Sequence, residues 1–428
     1  MGSEKKGHDR LMTERSQLEE AQAAGIGRTL ATYTRLSGPG WLQSAITLGG
    51  GSLAGSLYLG VIGGYEFLWL QPLMMILGIV MLSAIAYVTL STGKRPFQAM
   101  NEHVSPVLGW GWLLAAMMAN LVWAMPQFSL GTAALQQNLF PHYLAGDSAK
   151  VICVLGLFLI ATAVVWFYDS PGWGVRVFEL SLKAMVGLVV LSFFGVVVAM
   201  SWKGELDWMS IAKGFVPDLS LLWRPVTGLH GFIDESSARD YWTTTILHAQ
   251  RERMIAAAAT AVGINMTFLL PYSMLRKGWD RAFRGLAAFD LSTGLFIPFL
   301  VATSCVVIAA ASQFHAQFDE RIISQPAADA AGSYRDNLEK RVRAESGSED
   351  RSVLSESEMN AKIDALPSAD RKLAYMLIKR DSLDLATALE NLFGKGGLTQ
   401  KVFGIGVLGM AISTIVILMV INGFCVIE

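Results

Sequence analysis

The chain has 428 residues, of which 53% are hydrophobic and only 16% are charged, and its mean hydropathy is +0.42. This is more apolar surface than the core of a soluble protein needs, so the composition excludes an ordinary soluble domain. A net charge of -1 provides no basic field and excludes a nucleic-acid-binding protein. The composition predicts an all-α, polytopic membrane protein whose main partner is the lipid bilayer.

The first 34 residues form a charged segment without the apolar stretch of a secretory signal peptide. We expect this N-terminal segment, 1–34, to lie in the cytoplasm. The three cysteines, Cys153, Cys305 and Cys425, lie in apolar blocks, with no CxxC pair and no histidine at ligand spacing. This pattern indicates free buried thiols, and no cofactor is expected.

Apolar blocks of about 20 residues, the length that crosses a bilayer as a helix, occur eight times along the chain. The predicted spans are 38–62, 66–92, 107–136, 149–168, 174–201, 253–275, 286–312 and 402–424. Residues 35–312 are assigned to a membrane domain with spans one to seven, and 398–428 contain span eight. Between the fifth and sixth spans, residues 202–251 carry tryptophans that suit a membrane interface.

A long hydrophilic insert, 313–397, separates spans seven and eight. Its pattern near 370–393 predicts helix, whereas the serine-rich, charged stretch 345–357 is typical of a flexible link. We therefore expect a small helical domain outside the membrane.

The distribution of basic residues predicts the orientation. Lys94, Arg95 and the basic cluster 276–284 fall in loops on the same side as the N-terminus, whereas the opposite connections 63–65 and 141–149 hold no lysine or arginine. Short cytoplasmic loops retain such residues. The N-terminus is therefore predicted inside, in a cell (inner) membrane, and the insert outside.

Two spans carry sequences that interrupt helices. Gly49, Gly50 and Gly51 stand together in the middle of span one, and Pro271, which lacks an amide donor, lies in span six. Unpaired backbone groups are tolerated at membrane depth only where they face protein or a polar cavity. Breaks in spans one and six, five spans apart, are what an inverted-repeat transporter predicts, with the substrate between them.

The order of several short motifs resembles the NRAMP family of metal-ion transporters, within the group that shares the leucine-transporter fold. The motifs are Gly38-Pro39 at the start of span one, 131–135 with 138–140 at the end of span three, and 404–408 with 422–424 in span eight. The resemblance implies inverted repeats and secondary transport by alternating access. Two further spans would complete a repeat of five plus five, so either the second repeat is incomplete or the chain is a fragment.

The site differs from the pattern that this resemblance implies. The Asp-Pro-Gly-Asn turn of the family aligns with 49–52, where no carboxylate occurs, and its Met-Pro-His aligns with 270–272, where only Pro271 is kept. The family's second histidine falls at Lys277, and its acidic residues of span three fall near Met125 and Phe128. Divalent transition metals need carboxylate, imidazole or sulfur ligands, and the sequence is expected to supply none of these around the two breaks, so no metal site of the family's kind is expected.

Neutral hydrogen-bonding groups and backbone remain around the two predicted breaks. The candidate substrate-binding residues are Thr47, Gly49, Gly50, Gly51, Ser52, Gln127, Asn265, Pro271, Tyr272 and Ser273. Such a lining suits a small ion or solute, and we predict an NRAMP-related transporter that moves a cation at an altered site.

Two alternatives stay open at this point. One is a carrier of a small organic solute or anion, and the other is a membrane receptor or scaffold whose insert binds a partner. An enzyme is not expected, because no nucleophile and base pair occurs at membrane level and the sequence offers no catalytic residues. The sequence leaves the oligomeric state open.

Overall fold

The computed structural model describes residues 2–144, 146–169, 173–318, 332–346, 355–378 and 398–428, together with 320, 323, 380 and 385. Within these residues the regular structure is helical, and no strand occurs. In this described part of the chain, seven helices are long and apolar enough to cross a membrane, and a bent pair of helices adds an eighth candidate span. The chain is thus an integral membrane protein of the predicted all-α, polytopic class.

The spans follow the predicted order. Two helices, α1 (Gly2–Ala23) and α2 (Ile26–Leu36), precede them. Span one consists of two helices, α3 (Pro39–Thr47) and α4 (Gly50–Gly63), and span two is α5 (Leu70–Thr92). After the short α6 (Pro96–His103), span three consists of α7 (Pro106–Ala133) and a π-helical turn (Ala134–Leu139). Spans four and five are α8 (Asp147–Asp169) and α9 (Trp173–Trp202). The helices α10 (Trp208–Gly214) and α11 (Thr227–Glu235) follow. Spans six and seven are α12 (Arg239–Ala261) with α13 (Ile264–Arg276), and α14 (Arg284–Asp290) with a π-helical turn (Leu291–Leu295) and α15 (Phe296–Phe314).

The first span breaks where the glycines predict. The two half-helices α3 and α4 meet at an angle of 57°, and Leu48 and Gly49 lie between them in non-helical conformations. Three successive glycines make unwinding cheap, because glycine is among the poorest helix formers.

The second break lies in span six but not at Pro271, so that part of the prediction is wrong. Val262 and Gly263 are extended, and they separate α12 from α13. Pro271 lies inside α13, which continues to Arg276. A β-branched residue followed by glycine disfavours helix, whereas a proline in a membrane helix costs little more than a local adjustment when neighbours satisfy the backbone.

Span six also begins earlier than predicted. Its helix α12 starts at Arg239, so 239–251, predicted to lie at the interface, form the first part of the span. The rest of the predicted interfacial stretch contains the short helices α10 and α11. The first part of α12 accommodates polar residues such as Gln250, which pairs with the connection before it: its amide group accepts from Val226 N–H at 2.9 Å and donates to Leu221 O at 3.2 Å.

The insert contributes three described helices: α16 (Gly332–Ser346), α17 (Glu356–Asp364) and α18 (Ser368–Met376). The predicted link 345–357 and helix 370–393 fall partly outside the described residues. Span eight is α19 (Leu398–Ile427), which packs along α7 and α9.

A buried ion pair joins the insert to the start of span six. Arg341 on α16 and Asp370 on α18 are 2% and 0% exposed, and their side chains meet at 2.8 Å. Trp242 Nε1 and Ser236 Oγ donate to the same carboxylate at 2.9 and 3.0 Å, and Arg341 Nη2 donates to Ser237 Oγ at 3.0 Å. The insert is therefore fastened to α12 and the residues just before it by charge-assisted hydrogen bonds around a buried carboxylate.

We expect Asp370→Ala to lower the stability of the protein by about 3–5 kcal/mol, because it removes the buried counter-charge of the Arg341 guanidinium and the acceptor of Trp242 Nε1, leaving Arg341 only the exposed Glu345. Thermal unfolding of the purified protein in detergent would measure this. Asp364→Ala is the matched control, since the Asp364 side chain is exposed on the neighbouring α17. Equal melting temperatures for the two variants would contradict the structural role of the pair.

Candidate substrate site

A cavity of about 410 Å³ lies between the two helix breaks. Its lining comes from the break in span one, the break in span six, span three and span eight. The residues are Ile46, Thr47, Gly49, Gly51, Ser52, Trp123, Gln127, Ala259, Thr260, Val262, Gly263, Ile264, Asn265, Met266, Thr414 and Leu418. Its volume falls in the range of small-molecule sites, roughly 300–1,000 Å³.

Six of the ten predicted site residues meet at this cavity: Thr47, Gly49, Gly51, Ser52, Gln127 and Asn265. Gly50 is adjacent, and its N–H donates to Gln127 Oε1 at 3.0 Å. The remaining three predicted residues, 271–273, lie outside the lining, one to two turns further along α13. They were placed at the site because Pro271 was expected to mark the break, and the break lies at 262–263 instead.

The three glycines allow other spans to approach the unwound turn. A β-carbon at Gly49 would lie 2.6 Å from Thr414 Oγ1, and one at Gly51 would lie 2.6 Å from the Trp123 ring. Both distances are shorter than non-bonded contacts allow. The missing side chains of span one are thus replaced in space by Thr414 of span eight and Trp123 of span three.

All four hydroxyl groups of the lining already donate a hydrogen bond to the protein. Thr47 Oγ1 donates to Met266 Sδ at 3.3 Å, and Ser52 Oγ donates to Thr47 O at 2.5 Å. Thr260 Oγ1 donates to Ala256 O at 3.0 Å, and Thr414 Oγ1 donates to Ala45 O at 3.4 Å. Since a hydroxyl has one proton and two lone pairs, these groups offer acceptor oxygens to anything in the cavity.

The site holds no charged side chain, since none of the lining residues is Asp, Glu, Lys, Arg or His. In the described part of the chain, no group of three or more His, Cys, Asp or Glu side chains could hold a metal ion. Sulfur is present, however. Met266 lies in the wall, so the expectation that the site offers no sulfur is wrong.

Sequence reasoning missed Trp123, Thr260, Met266 and Thr414. The Val-Gly pair at 262–263 was the available signal for Thr260 and Met266, because it marks the break that these residues flank. Trp123 and Thr414 reach the site only through packing between spans, and nothing in their local sequence indicates it.

Comparison with known proteins identifies one family. Residues 40–333 match the family model Nramp, described as natural resistance-associated macrophage protein-like. The metal transporter Nramp6.2 of Populus trichocarpa is 26% identical over 43% of this chain and 31% of its own length. The metal transporter Nramp2 of Oryza sativa subsp. japonica is 26% identical over 37% of this chain and 29% of its own length. The matched part of the chain thus spans less than a third of these curated relatives.

Solved structures with a similar arrangement include the manganese transporter of Eremococcus coleocola in complex with an aromatic bis-isothiourea substituted compound. It aligns with 94% of this chain and 71% of its own, at 14% identity and a TM-score of 0.46. A mutant of the same transporter aligns at 13% identity with a TM-score of 0.47, over 93% of this chain and 70% of its own.

We expect Gly49→Ala to destabilise the protein by about 1–3 kcal/mol, the usual cost of overpacking, because the new methyl group collides with Thr414. The double variant Gly49→Ala, Thr414→Ala should recover most of the loss, since the second change removes the atoms in collision. Gly195→Ala on α9 is the control, because open space surrounds Gly195. Thermal unfolding that shows independent, additive effects at 49 and 414 would contradict the proposed contact.

Proposed function

Because the chain belongs to the Nramp family, we propose that it is a secondary transporter that moves a cation across the membrane by alternating access at an altered substrate site. One observation carries the proposal: a cavity lies between interrupted helices of spans one and six. Discontinuous helices of this kind form the substrate sites of many secondary transporters, near the bilayer midplane.

The hydrogen bonds of the cavity favour a positive substrate. Its four hydroxyl groups present oxygen lone pairs, because their protons are engaged elsewhere. The half-helices α3 and α12 both end at the cavity, and their carboxyl ends carry partial negative charge. The amino ends of α4 and α13 also begin at the cavity. That of α4 is partly neutralised, since Gln127 Oε1 accepts from Gly50 N–H, so it is the hydroxyl oxygens that favour a positive substrate.

The proposed site comprises nine residues: Thr47, Gly49, Gly51, Ser52, Gln127, Thr260, Asn265, Met266 and Thr414. They supply neutral oxygen and one thioether, without a carboxylate or imidazole. A divalent transition metal would have to give up its hydration for these neutral ligands, which offset little of the cost. We therefore do not propose that this chain transports the metals after which its relatives are named.

The break in span one supplies the hinge that alternating access requires. The inner half, α3, packs against the π-helical turn of span seven, whereas the outer half, α4, packs along α15 and α12. These halves meet at Leu48 and Gly49, which lack helical hydrogen bonding on one side. A change of angle at these residues would open the cavity to one side of the membrane and close it to the other.

We also propose that the protein lies in the inner cell membrane, with its N-terminus in the cytoplasm and the insert outside. The bilayer is its proposed surrounding partner, and a small cation is its substrate. The competing functions, a carrier of a small organic solute without net positive charge or of an anion, and a receptor that acts through the insert, predict no saturable cation flux.

Reconstituted protein in proteoliposomes should show saturable uptake of at least one of three tracers, namely rubidium, manganese or methylammonium. Preloading the vesicles with the same unlabelled cation should accelerate that uptake, because a carrier returns faster when loaded. Gly51→Leu should abolish uptake, since its side chain enters the cavity against Trp123. Gly195→Leu, where space is open, should retain it.

Uptake equal to that of empty liposomes for all three tracers would overturn the proposed function. If Gly51→Leu took up the tracer at the rate of the unchanged protein, transport would not pass through this cavity. Size-exclusion profiles of both variants in detergent would establish that they fold alike.

A further inference from the structure

We infer that the substrate of the cavity is a small organic cation with a primary ammonium group, an inference that rests on the proposed cation transport. Three properties of the cavity support this inference: its hydroxyl oxygens can accept hydrogen bonds, part of its wall is apolar, and its lining has no charged side chain.

The hydroxyl groups of the cavity favour a substrate that donates hydrogen bonds. Thr47, Ser52, Thr260 and Thr414 each have a free oxygen lone pair and no free proton. They belong to spans one, six and eight, so they approach the cavity from different sides. A primary ammonium group has three N–H donors that diverge from one nitrogen, and it can satisfy acceptors in such an arrangement.

The rest of the wall is apolar and favours a substrate with a hydrocarbon part. Ile46, Val262, Ile264, Leu418 and the Trp123 ring line the same cavity. A hydrated inorganic ion would press its water shell against these side chains, whereas an alkyl group would remove apolar surface from water. Trp123 belongs to the same wall, and indole is the aromatic ring that attracts cations most strongly.

The charge of the site sets an upper limit on the charge of the substrate. With no carboxylate in the lining, only dipoles offset the substrate charge, so a single positive charge is far less costly to bury than two. A zwitterion would additionally need a partner for its carboxylate. The wall has no cationic side chain, and the N–H at the head of α4 is already bound by Gln127. The carboxylate would find only neutral donors, at the head of α13 and on the amides of Gln127 and Asn265.

Thermal unfolding of the full-length protein in detergent tests the inference. Ethylammonium chloride should raise the melting temperature by about 2 °C or more at saturation, because a ligand bound only by the folded state stabilises it. Tetramethylammonium has the same charge and no N–H group, so it should give a much smaller shift. Potassium, manganese and glycine complete the set of probes.

Two variants connect the shift to the hydroxyl oxygens. Thr47→Val and Thr414→Val keep the side-chain shape and remove the acceptor, so each should reduce the affinity for ethylammonium about tenfold or more, the loss of a charge-assisted hydrogen bond. Thr303→Val is the matched control. Thr303 is equally buried and donates to Phe299 O at 2.7 Å, but it lies outside the cavity.

Each outcome has one meaning. A shift with ethylammonium that the Thr47 and Thr414 variants lose, and the Thr303 variant keeps, supports the inference. Stabilisation by potassium or manganese without ethylammonium would overturn it and leave the proposed cation transport standing. A shift with tetramethylammonium or glycine equal to that with ethylammonium would overturn the requirement for N–H donors or for net positive charge. No shift with any probe would overturn it as well, while the tracer uptake decides separately whether a cation is carried at all.

Discussion

The centre of this fold depends on one constraint: main-chain groups freed by two helix breaks must find hydrogen-bond partners where water is scarce. Ser52 satisfies much of it, because its hydroxyl lies 2.5 Å from Thr47 O and 3.3 Å from Thr260 O. One side chain thereby joins the break of span one to the break of span six. Gln127 adds the acceptor for Gly50 N–H. The polar residues of the site support the backbone first, and their remaining lone pairs are what a substrate can use.

The first half of span one, α3, is held by a second set of buried contacts. The Asp290 carboxylate accepts from Gly40 N–H at 2.6 Å, from Gly38 N–H at 3.1 Å and from the Ser37 hydroxyl, so it caps the amino end of α3. Gly40 permits this approach, since a β-carbon there would lie 2.3 Å from Asp290 O. Because α3 is fastened to span seven in this way, any tilt at Leu48 carries that part of span seven with it or costs these hydrogen bonds.

The sequence alone was sufficient for the number and order of the spans, because the length of an apolar block is set by bilayer thickness and not by packing. It was also sufficient for the break at 49–51, where three glycines act locally. It was insufficient for the second break. Pro126 and Pro271 both lie inside continuous helices, so proline in a membrane helix is a weak guide, whereas the Val262-Gly263 pair breaks the helix without one.

The parts of the site that escaped prediction depend on contacts between distant segments. Thr414 reaches the cavity from the last span, and the ion pair between Arg341 and Asp370 fastens the insert to Trp242 far earlier in the chain. No local pattern encodes such contacts, because either partner alone is an ordinary residue of its helix. A buried arginine in a hydrophilic insert is recognisable only once its counter-charge is located.

The glycine at position 49 decides which groups of spans one and eight can share the proposed site. By resemblance it aligns with a carboxylate, and a side chain there would collide with the Thr414 hydroxyl. A carboxylate at 49 and the Thr414 hydroxyl therefore exclude each other in this packing. In the proposed site, dipoles take the place of a full negative charge, which lowers the charge that the cavity would hold and leaves room for hydrocarbon. The helices fix where a substrate binds, and these few side chains decide what it is.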